Sequence, residues 1–213
     1  MRWKSEAGLD FSQRVRRLSH SEGSALVEFA IALPLLVVLV VGIFDFGAAF
    51  NTKQELNNAM REAARFGAAQ PTNDLSNSGV PASVDAIRVL VVSYLQASRI
   101  NDCGLSTAAG SSSAAMIWTY VTTSSGGCAG TMTLTVVRGF STAGAGGTSG
   151  CGLTANNYGS PNPITGLNIP CTRVTISYPY QWHFNSVIQL VSPSANYGGL
   201  LQIQTDATVP NMN

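Results

Sequence analysis

The sequence predicts an α+β protein, in which a long N-terminal transmembrane helix continues into a domain with a small antiparallel β-sheet. The run from Ala25 to Phe50 is apolar apart from Glu28, Asp45 and the helix breaker Pro34. Apolar residues then recur at helical spacing, and four later stretches alternate between apolar and polar residues, as half-buried strands do. Together these patterns predict one membrane helix followed by one folded body.

Charge is concentrated in the residues that precede the apolar run. The leader carries Arg2, Lys4, Arg14, Arg16 and Arg17 against Glu6, Asp10 and Glu22. Only 11% of the 213 residues are charged, well below the usual quarter, and from Cys103 onward the charged residues are Arg138, Arg173 and Asp206. This distribution indicates a cytosolic leader before an exported body. The segment from Cys103 onward contains no basic patch of the kind that binds nucleic acid.

The apolar run is close to the length that a bilayer requires. Its uninterrupted part, Phe29–Phe44, would extend about 24 Å as a helix, against a hydrocarbon core of about 30 Å. With its flanks the segment reaches spanning length, so Glu28 and Asp45 are expected near the two membrane interfaces. Pro34 predicts a kink about one turn after Glu28, which membrane helices tolerate.

Two simpler interpretations of this run remain open. It could be a plain signal anchor in which Glu28 is an incidental interfacial residue. It could also be a cleaved secretory signal, since "FGAAF" places the small residues Gly47 and Ala49 where signal peptidase requires them. Against the second interpretation, the leader is long and the run exceeds the usual apolar length of such signals, about 7–15 residues.

Helical periodicity continues beyond the apolar run. The residues Leu56, Ala59, Met60, Ala63 and Gly67 recur on one face, and Gln54, Asn58, Arg61 and Arg65 lie on the other. The small members of the first face would let another element approach closely. A second helix is predicted at about Ser83–Ala97, with Val84, Ile87, Val91 and Tyr94 on one face.

Four later stretches predict strands: "AMIWTYV", "TMTLTVV", "TRVTISY" and "LLQIQTDATV". In the second, Met132, Leu134 and Val136 alternate with threonines, and in the third Val174 and Ile176 alternate with polar residues. One apolar and one polar face is typical of an antiparallel sheet with one side exposed to solvent. Breaker-rich stretches such as "STAGAGGTSGCG" predict the loops between them.

All four cysteines, Cys103, Cys128, Cys151 and Cys171, lie beyond the membrane helix. The sequence has no C-x-x-C motif, and His20 and His183 are far apart, so neither a metal site nor a cofactor is predicted. An even count in an exported, loop-rich region predicts two disulfides, with free buried thiols as the alternative. Three connectivities are possible. Sequential pairing, Cys103–Cys128 with Cys151–Cys171, is the one we expect.

Catalysis has little support in the sequence. One of many serines could combine with His183 and Asp206, but no local signature marks any of the three. The sequence therefore predicts a protein that is not an enzyme, and a membrane-tethered hydrolase is only a distant alternative.

The apolar run also carries a family resemblance. A basic leader followed by Gly23, four small or apolar residues, Glu28, Phe29 and a long apolar helix resembles the prepilin-type leader of type IV pilins and pseudopilins. The stretch "EFAIALPLLVVLVVGIFDFG", followed by "LNNAMREAARFGA", is similar to the TadE-like family of tight-adherence (Flp) pilus assembly proteins. The similarity extends from about Gly23 to Ala68, which is about a fifth of the chain.

The resemblance implies a minor pilin or pseudopilin, which a prepilin peptidase cuts between Gly23 and Ser24. It implies three segments: a leader at 1–23, the transmembrane helix at 24–50 and an exported pilin-like α+β domain at 51–213. Glu28 and Phe29 would set the register between helices, and Glu28 would pair with the N-terminal ammonium of a neighbouring subunit. The rival interpretation is a signal-anchored or secreted envelope binding protein.

The resemblance also implies partners and a location. Its partners would be other pilins, the inner-membrane assembly platform and the peptidase. The protein would cross the bacterial inner membrane once, with its N-terminus in the cytoplasm and its C-terminal domain in the periplasm, and it would be a candidate component of the extracellular pilus.

Overall fold

The structure, a computed structural model, describes residues 22–75, 79–114, 116–122, 126–140, 170–182 and 200–211. Within these residues there are two α-helices, a short 3-10 helix and five strands: α1 (Glu22–Ala69), α2 (Ala82–Ala97), the 3-10 helix Leu105–Thr107, β1 (Gly110–Ala114), β2 (Ile117–Val121), β3 (Thr133–Phe140), β4 (Pro170–Tyr180) and β5 (Leu201–Pro210). The predicted α+β class is confirmed. The leader at 1–21, Cys151, His183 and the loop "STAGAGGTSGCG" lie outside the described residues.

Helix α1 is continuous through the apolar run and into the folded body. The predicted face is buried in its second half: Leu56, Ala59, Met60, Ala63 and Gly67 all lie in the interior, whereas Gln54, Asn58, Arg61 and Arg65 are exposed. The helix also continues through Pro34. Proline has no N–H to donate to the carbonyl of Ala30, so this turn lacks one backbone hydrogen bond, and the kink stays a prediction.

Helix α2 agrees with its predicted bounds to within one residue. Val84, Ile87 and Val91 are buried as the periodicity indicates, and Tyr94 is half-buried against the same core. Pro81 precedes the helix in an extended conformation, and Asp85 lies in the first turn of the helix. A carboxylate at this position interacts favourably with the positive end of the helix dipole.

The five strands form one antiparallel sheet in the order β1-β2-β3-β4-β5. Strands β2 to β5 correspond to the four predicted stretches, and the sequence analysis did not predict β1. The predicted inward residues Leu134 and Val136 of β3 and Val174 and Ile176 of β4 are fully buried. They form the core with the buried faces of the helices.

Helix α1 lies against β4 and β5. Its Asn57 side chain accepts a hydrogen bond from the hydroxyl of Thr205. Further along, a Cβ atom added at Gly67 would lie 2.7 Å from Ile87 Cδ1 and 2.8 Å from Thr172 Cγ2. The absence of a side chain at Gly67 therefore allows the helix to approach both α2 and the sheet, as the small-residue face predicts.

Candidate functional site

The first half of α1 presents an apolar surface to its surroundings. Its large side chains from Leu26 to Phe50 are exposed, among them Ile31, Leu35, Phe44 and Phe46, each at 70% or more of its surface. Within the part of the chain that the structure describes, this is the one helix long and apolar enough to cross a membrane, and no residue of its most apolar window is buried. Exposure of such a large apolar surface to water is unfavourable, so lipid or protein must cover it.

The residues of the predicted cleavage and register sites lie together on the first turns of this helix. The Ser24 hydroxyl donates a hydrogen bond to Glu28 Oε1 at 3.2 Å. The Phe29 side chain is exposed. Among the described residues, no atom beyond the chain neighbours and the helix's own backbone comes within 4 Å of a Cβ atom built at Gly23. The backbone at Gly23 and the carboxylate of Glu28 are therefore both accessible to a partner.

The second acid of the run, Asp45, lies where the helix meets the sheet. It is buried, and the Tyr180 hydroxyl lies 3.2 Å from its Oδ1 atom and 3.4 Å from its backbone oxygen. Burial, followed by the charge and hydrogen bond of Asp45, raises the pKa of Tyr180 to about 12. At neutral pH the phenol is therefore a donor, and it links the last residue of β4 to the point where the exposed apolar helix ends.

Aromatic rings surround this link. The ring of Trp182 lies 5.1 Å from that of Phe46 and 5.5 Å from that of Tyr180, centroid to centroid, both in edge-to-face geometry. Such pairs contribute about 0.5–1.5 kcal/mol beyond the area that they bury. Sequence reasoning noted Asp45 but did not identify Tyr180 or Trp182 as its neighbours, because they lie more than 130 residues away along the chain.

The folded body carries a disulfide between Cys103 and Cys128, whose Cα atoms are 5.3 Å apart. This is the first of the two sequential pairs. Cys171 is also disulfide-bonded, and Cys151 lies outside the described residues. The backbone of Gly126 approaches that of Cys103 so closely that a side chain at residue 126 would collide with the Cys103 carbonyl group.

A buried cation joins the end of α1 to the start of α2. The guanidinium of Arg138 on β3 donates to the backbone oxygens of Gln70 at 2.8 Å and Pro71 at 3.1 Å, and to the Ser83 hydroxyl at 2.6 Å. Burial lowers the pKa of Arg138, and the negative charge of Asp74 opposes that shift. The bonds to Gln70 and Pro71 give partners to carbonyl oxygens of the two residues that follow α1.

Two further acidic side chains form ion pairs. Asp85 accepts a 2.7 Å hydrogen bond from Arg88, which mainly accounts for its lowered pKa. Asp206, a member of the hydrolase alternative, forms an exposed pair with Arg173 at 3.2 Å. Among the described residues, no group of three His, Cys, Asp or Glu side chains could hold a metal ion.

The chain therefore combines an exposed apolar N-terminal helix, which suggests a membrane anchor, with an α+β body that packs against the second half of that helix. Residues 23–65 match the family described as TadE-like protein, which confirms the resemblance over about a fifth of the 213 residues. The match associates the chain with the tight-adherence pilus. No curated protein and no solved structure gives a match to the chain.

Proposed function

We propose that the protein is a minor pilin or pseudopilin of a tight-adherence pilus, made as a precursor and cut by a prepilin peptidase. The observation that carries this proposal is the family match over residues 23–65, which coincides with the exposed apolar half of α1 and the start of its buried half. A helix that is apolar on all sides at one end and fixed to a body at the other is suited to insertion both in a membrane and among the helices of a filament.

Cleavage would occur between Gly23 and Ser24. The open space around Gly23 supports this, because a peptidase must bring its catalytic groups close to the backbone there. The cut would convert the backbone nitrogen of Ser24 into an ammonium, one helical turn from the Glu28 carboxylate. The hydrogen bond between the two side chains already places residues 24 and 28 on one face of the helix.

Glu28 would then set the axial register between subunits. Its side chain is exposed, so it can reach the ammonium of a neighbouring helix. At 4 Å and an effective dielectric constant near 20, the attraction is about 4 kcal/mol. Desolvation of both charges offsets much of it, yet leaving either charge unpaired among apolar helices is worse still. The pair would therefore favour one register over its alternatives.

The body would lie on the periplasmic side and the leader in the cytoplasm. The Cys103–Cys128 disulfide supports this orientation, because disulfides persist in oxidising compartments. The proposed partners are other pilins or pseudopilins, the inner-membrane assembly platform and the peptidase, and the protein acts as a substrate and structural part rather than as a catalyst.

Mass spectrometry of the N-terminus of protein from native envelopes tests this proposal against its rivals. Ser24 as the first residue supports prepilin processing. Met1 would indicate a plain signal anchor, and Phe50 would indicate a secreted envelope protein cut by signal peptidase. Because the three N-termini differ by whole segments, one peptide map distinguishes them.

A further inference from the structure

A rim of exposed apolar side chains surrounds the point where the body meets the helix. It consists of Phe46, Phe50, Trp182, Leu200 and Leu201, and we call these five residues the interfacial rim. Phe46 and Phe50 are exposed over more than half of their surface, Leu200 and Leu201 over about two fifths, and Trp182 in part. An exposed group of large apolar residues on a folded body commonly marks a contact surface.

The register of the sheet along α1 brings these residues to one level. Tyr180 contacts Asp45, Thr205 contacts Asn57, and Thr172 lies beside Gly67. Strand β4 therefore runs antiparallel to the helix, and its C-terminal end points towards the apolar half. Leu201 pairs with Tyr180 in the sheet, so the start of β5 lies at that same end.

This level coincides with the edge of a bilayer. From Gly23 to Phe44 the helix is about 33 Å long at 1.5 Å per residue, close to a hydrocarbon core of about 30 Å. Phe46 then lies just beyond the acyl chains. Lys53 is exposed and follows three residues after Phe50, hence on the same side of the helix, where its ammonium can reach lipid phosphates.

We propose that the interfacial rim rests on the phospholipid bilayer at the level of the headgroups, so that the body is seated on the membrane surface instead of standing clear of it. The indole ring of Trp182 suits this zone because it has an apolar body and a polar N–H. Phe46 and Phe50 add apolar contact, and the rim is continuous with the exposed apolar surface of α1. The proposal rests on the membrane-anchored part of the function proposed above, and it does not depend on cleavage or on filament assembly.

Quenching of tryptophan fluorescence by spin-labelled lipids tests the proposal. The chain has three tryptophans, so Trp3→Phe with Trp118→Phe leaves Trp182 as the sole emitter. The full chain is reconstituted in phosphatidylcholine vesicles that carry a nitroxide either near the glycerol end or near the methyl end of the acyl chain. We expect the shallow label to quench Trp182 at least about twofold more strongly than the deep label, as a headgroup-level ring requires.

The matched control keeps Trp118 as the sole emitter through Trp3→Phe and Trp182→Phe. Trp118 is buried, and its indole nitrogen donates to the Gly79 oxygen at 3.0 Å. Neither lipid label should change its emission. Circular dichroism of both variants verifies that they remain folded.

Three outcomes would overturn the proposal. The first is an unquenched Trp182 in protein that still resists alkaline extraction from the vesicles, which would place the body away from the lipid. The second is stronger quenching by the deep label, which would place the ring inside the hydrocarbon. The third is an unquenched Trp182 that becomes protected only in assembled filaments, which would make the interfacial rim a contact between subunits. A chain that retains Met1 would instead overturn the proposed processing and leave the quenching result unchanged.

Discussion

Arg138 and Ser83 are joined by a 2.6 Å hydrogen bond in which the guanidinium is the donor. The same Ser83 donates its hydroxyl hydrogen to Asp74 at 2.9 Å, and its backbone N–H donates to that carboxylate at 2.8 Å. With the carbonyl oxygens of Gln70 and Pro71 also bound to Arg138, one side chain of β3 holds the connection between α1 and α2 in place.

We predict that Arg138→Met lowers the free energy of unfolding of the full chain in detergent by about 3 kcal/mol, because it removes the buried guanidinium that binds Ser83 and the backbone oxygens of Gln70 and Pro71. Urea titration followed by circular dichroism measures the change. Arg173→Met is the control, since its pair with Asp206 is exposed and such pairs contribute at most about 1 kcal/mol. Equal midpoints for the two variants would show that the buried network contributes nothing.

A second prediction concerns the close approach of Gly126 to Cys103. Gly126→Ala places a methyl group against the Cys103 backbone and should destabilise the body by about 1–3 kcal/mol, the usual range for overpacking. When both proteins are reduced and alkylated under mild denaturation, Cys103 and Cys128 should be labelled faster in the variant than in the wild type. Gly47→Ala makes the same chemical change in open space and should leave labelling unchanged. Identical labelling of both variants contradicts the prediction.

Tyr180 leads to a third prediction, at alkaline pH. Its pKa is raised from 10.0 to about 12 in the folded protein, so the folded state holds the phenol proton more tightly than the unfolded state. The resulting stabilisation is complete below pH 10 and is lost as pH rises towards 12. Tyr180→Phe should therefore show a shallower loss of stability between pH 10 and 12 than the wild type.

Unfolding midpoints at several alkaline pH values measure that slope, and a midpoint at pH 7 gives the baseline of each variant. Burial also raises the pKa of Tyr178, so the slope should decrease without disappearing. Tyr178→Phe keeps the hydrogen bond between Tyr180 and Asp45 and should remove only the part of the slope that Tyr178 contributes, so the double variant should have a shallower slope than either single variant. An unchanged slope in Tyr180→Phe would mean that the phenol titrates as it does in the unfolded chain.

Processing gives a fourth prediction. Gly23→Val obstructs access to the backbone, so the variant should accumulate as a precursor about 2.7 kDa heavier than the mature protein, which is the mass of residues 1–23. Gly47→Val is the matched control: it makes the same substitution in open space on the same helix and should be processed normally. Immunoblots of whole cells report both. Normal processing of Gly23→Val would remove the assignment of the cleavage site.

The fifth prediction concerns Glu28. Glu28→Leu should be inserted and cut normally yet fail to join or support pili, because it removes the charge that would pair with a neighbouring ammonium. Leucine makes the helix more apolar, so weaker anchoring cannot explain the defect. Val27→Leu adds a leucine beside the acid and should assemble normally. If sheared pili contain Glu28→Leu at wild-type levels, Glu28 has no role in register and is only an interfacial residue.

The sequence predicted the helices and four strands because each has a local period. Leu56 and Gly67 recur at helical spacing, and Leu134 and Val136 recur at every second residue. The spacing of apolar and small residues therefore indicates which face of each element is buried. Strand β1 has no such alternation, because Ser111, Ser112 and Ser113 are all polar and all exposed at the edge of the sheet. A stretch without an apolar face is indistinguishable from a loop until the neighbouring strand is in place.

Parts of the candidate site were visible for a similar reason. Gly23, Glu28 and Pro34 stand out against an apolar background, in a stretch that resembles the TadE-like family. The partners of Asp45 could not be found in this way, since Tyr180 lies 135 residues away and nothing near either residue indicates the other. Long-range polar contacts such as that of Arg138 with Gln70 arise only when the tertiary fold brings distant segments together.

The antiparallel alignment of β4 along α1 has a mechanical consequence. Contacts between helix and sheet are distributed from Asp45 through Asn57 to Gly67, roughly parallel to the helix axis. A tensile load applied along that axis therefore acts on all of these contacts at once, in shear, and does not peel them apart one after another. Many weak contacts that share a force in this way rupture at a much higher load than the same contacts broken in sequence. The body is thus attached to its helix in a geometry that resists being pulled off along the helix axis.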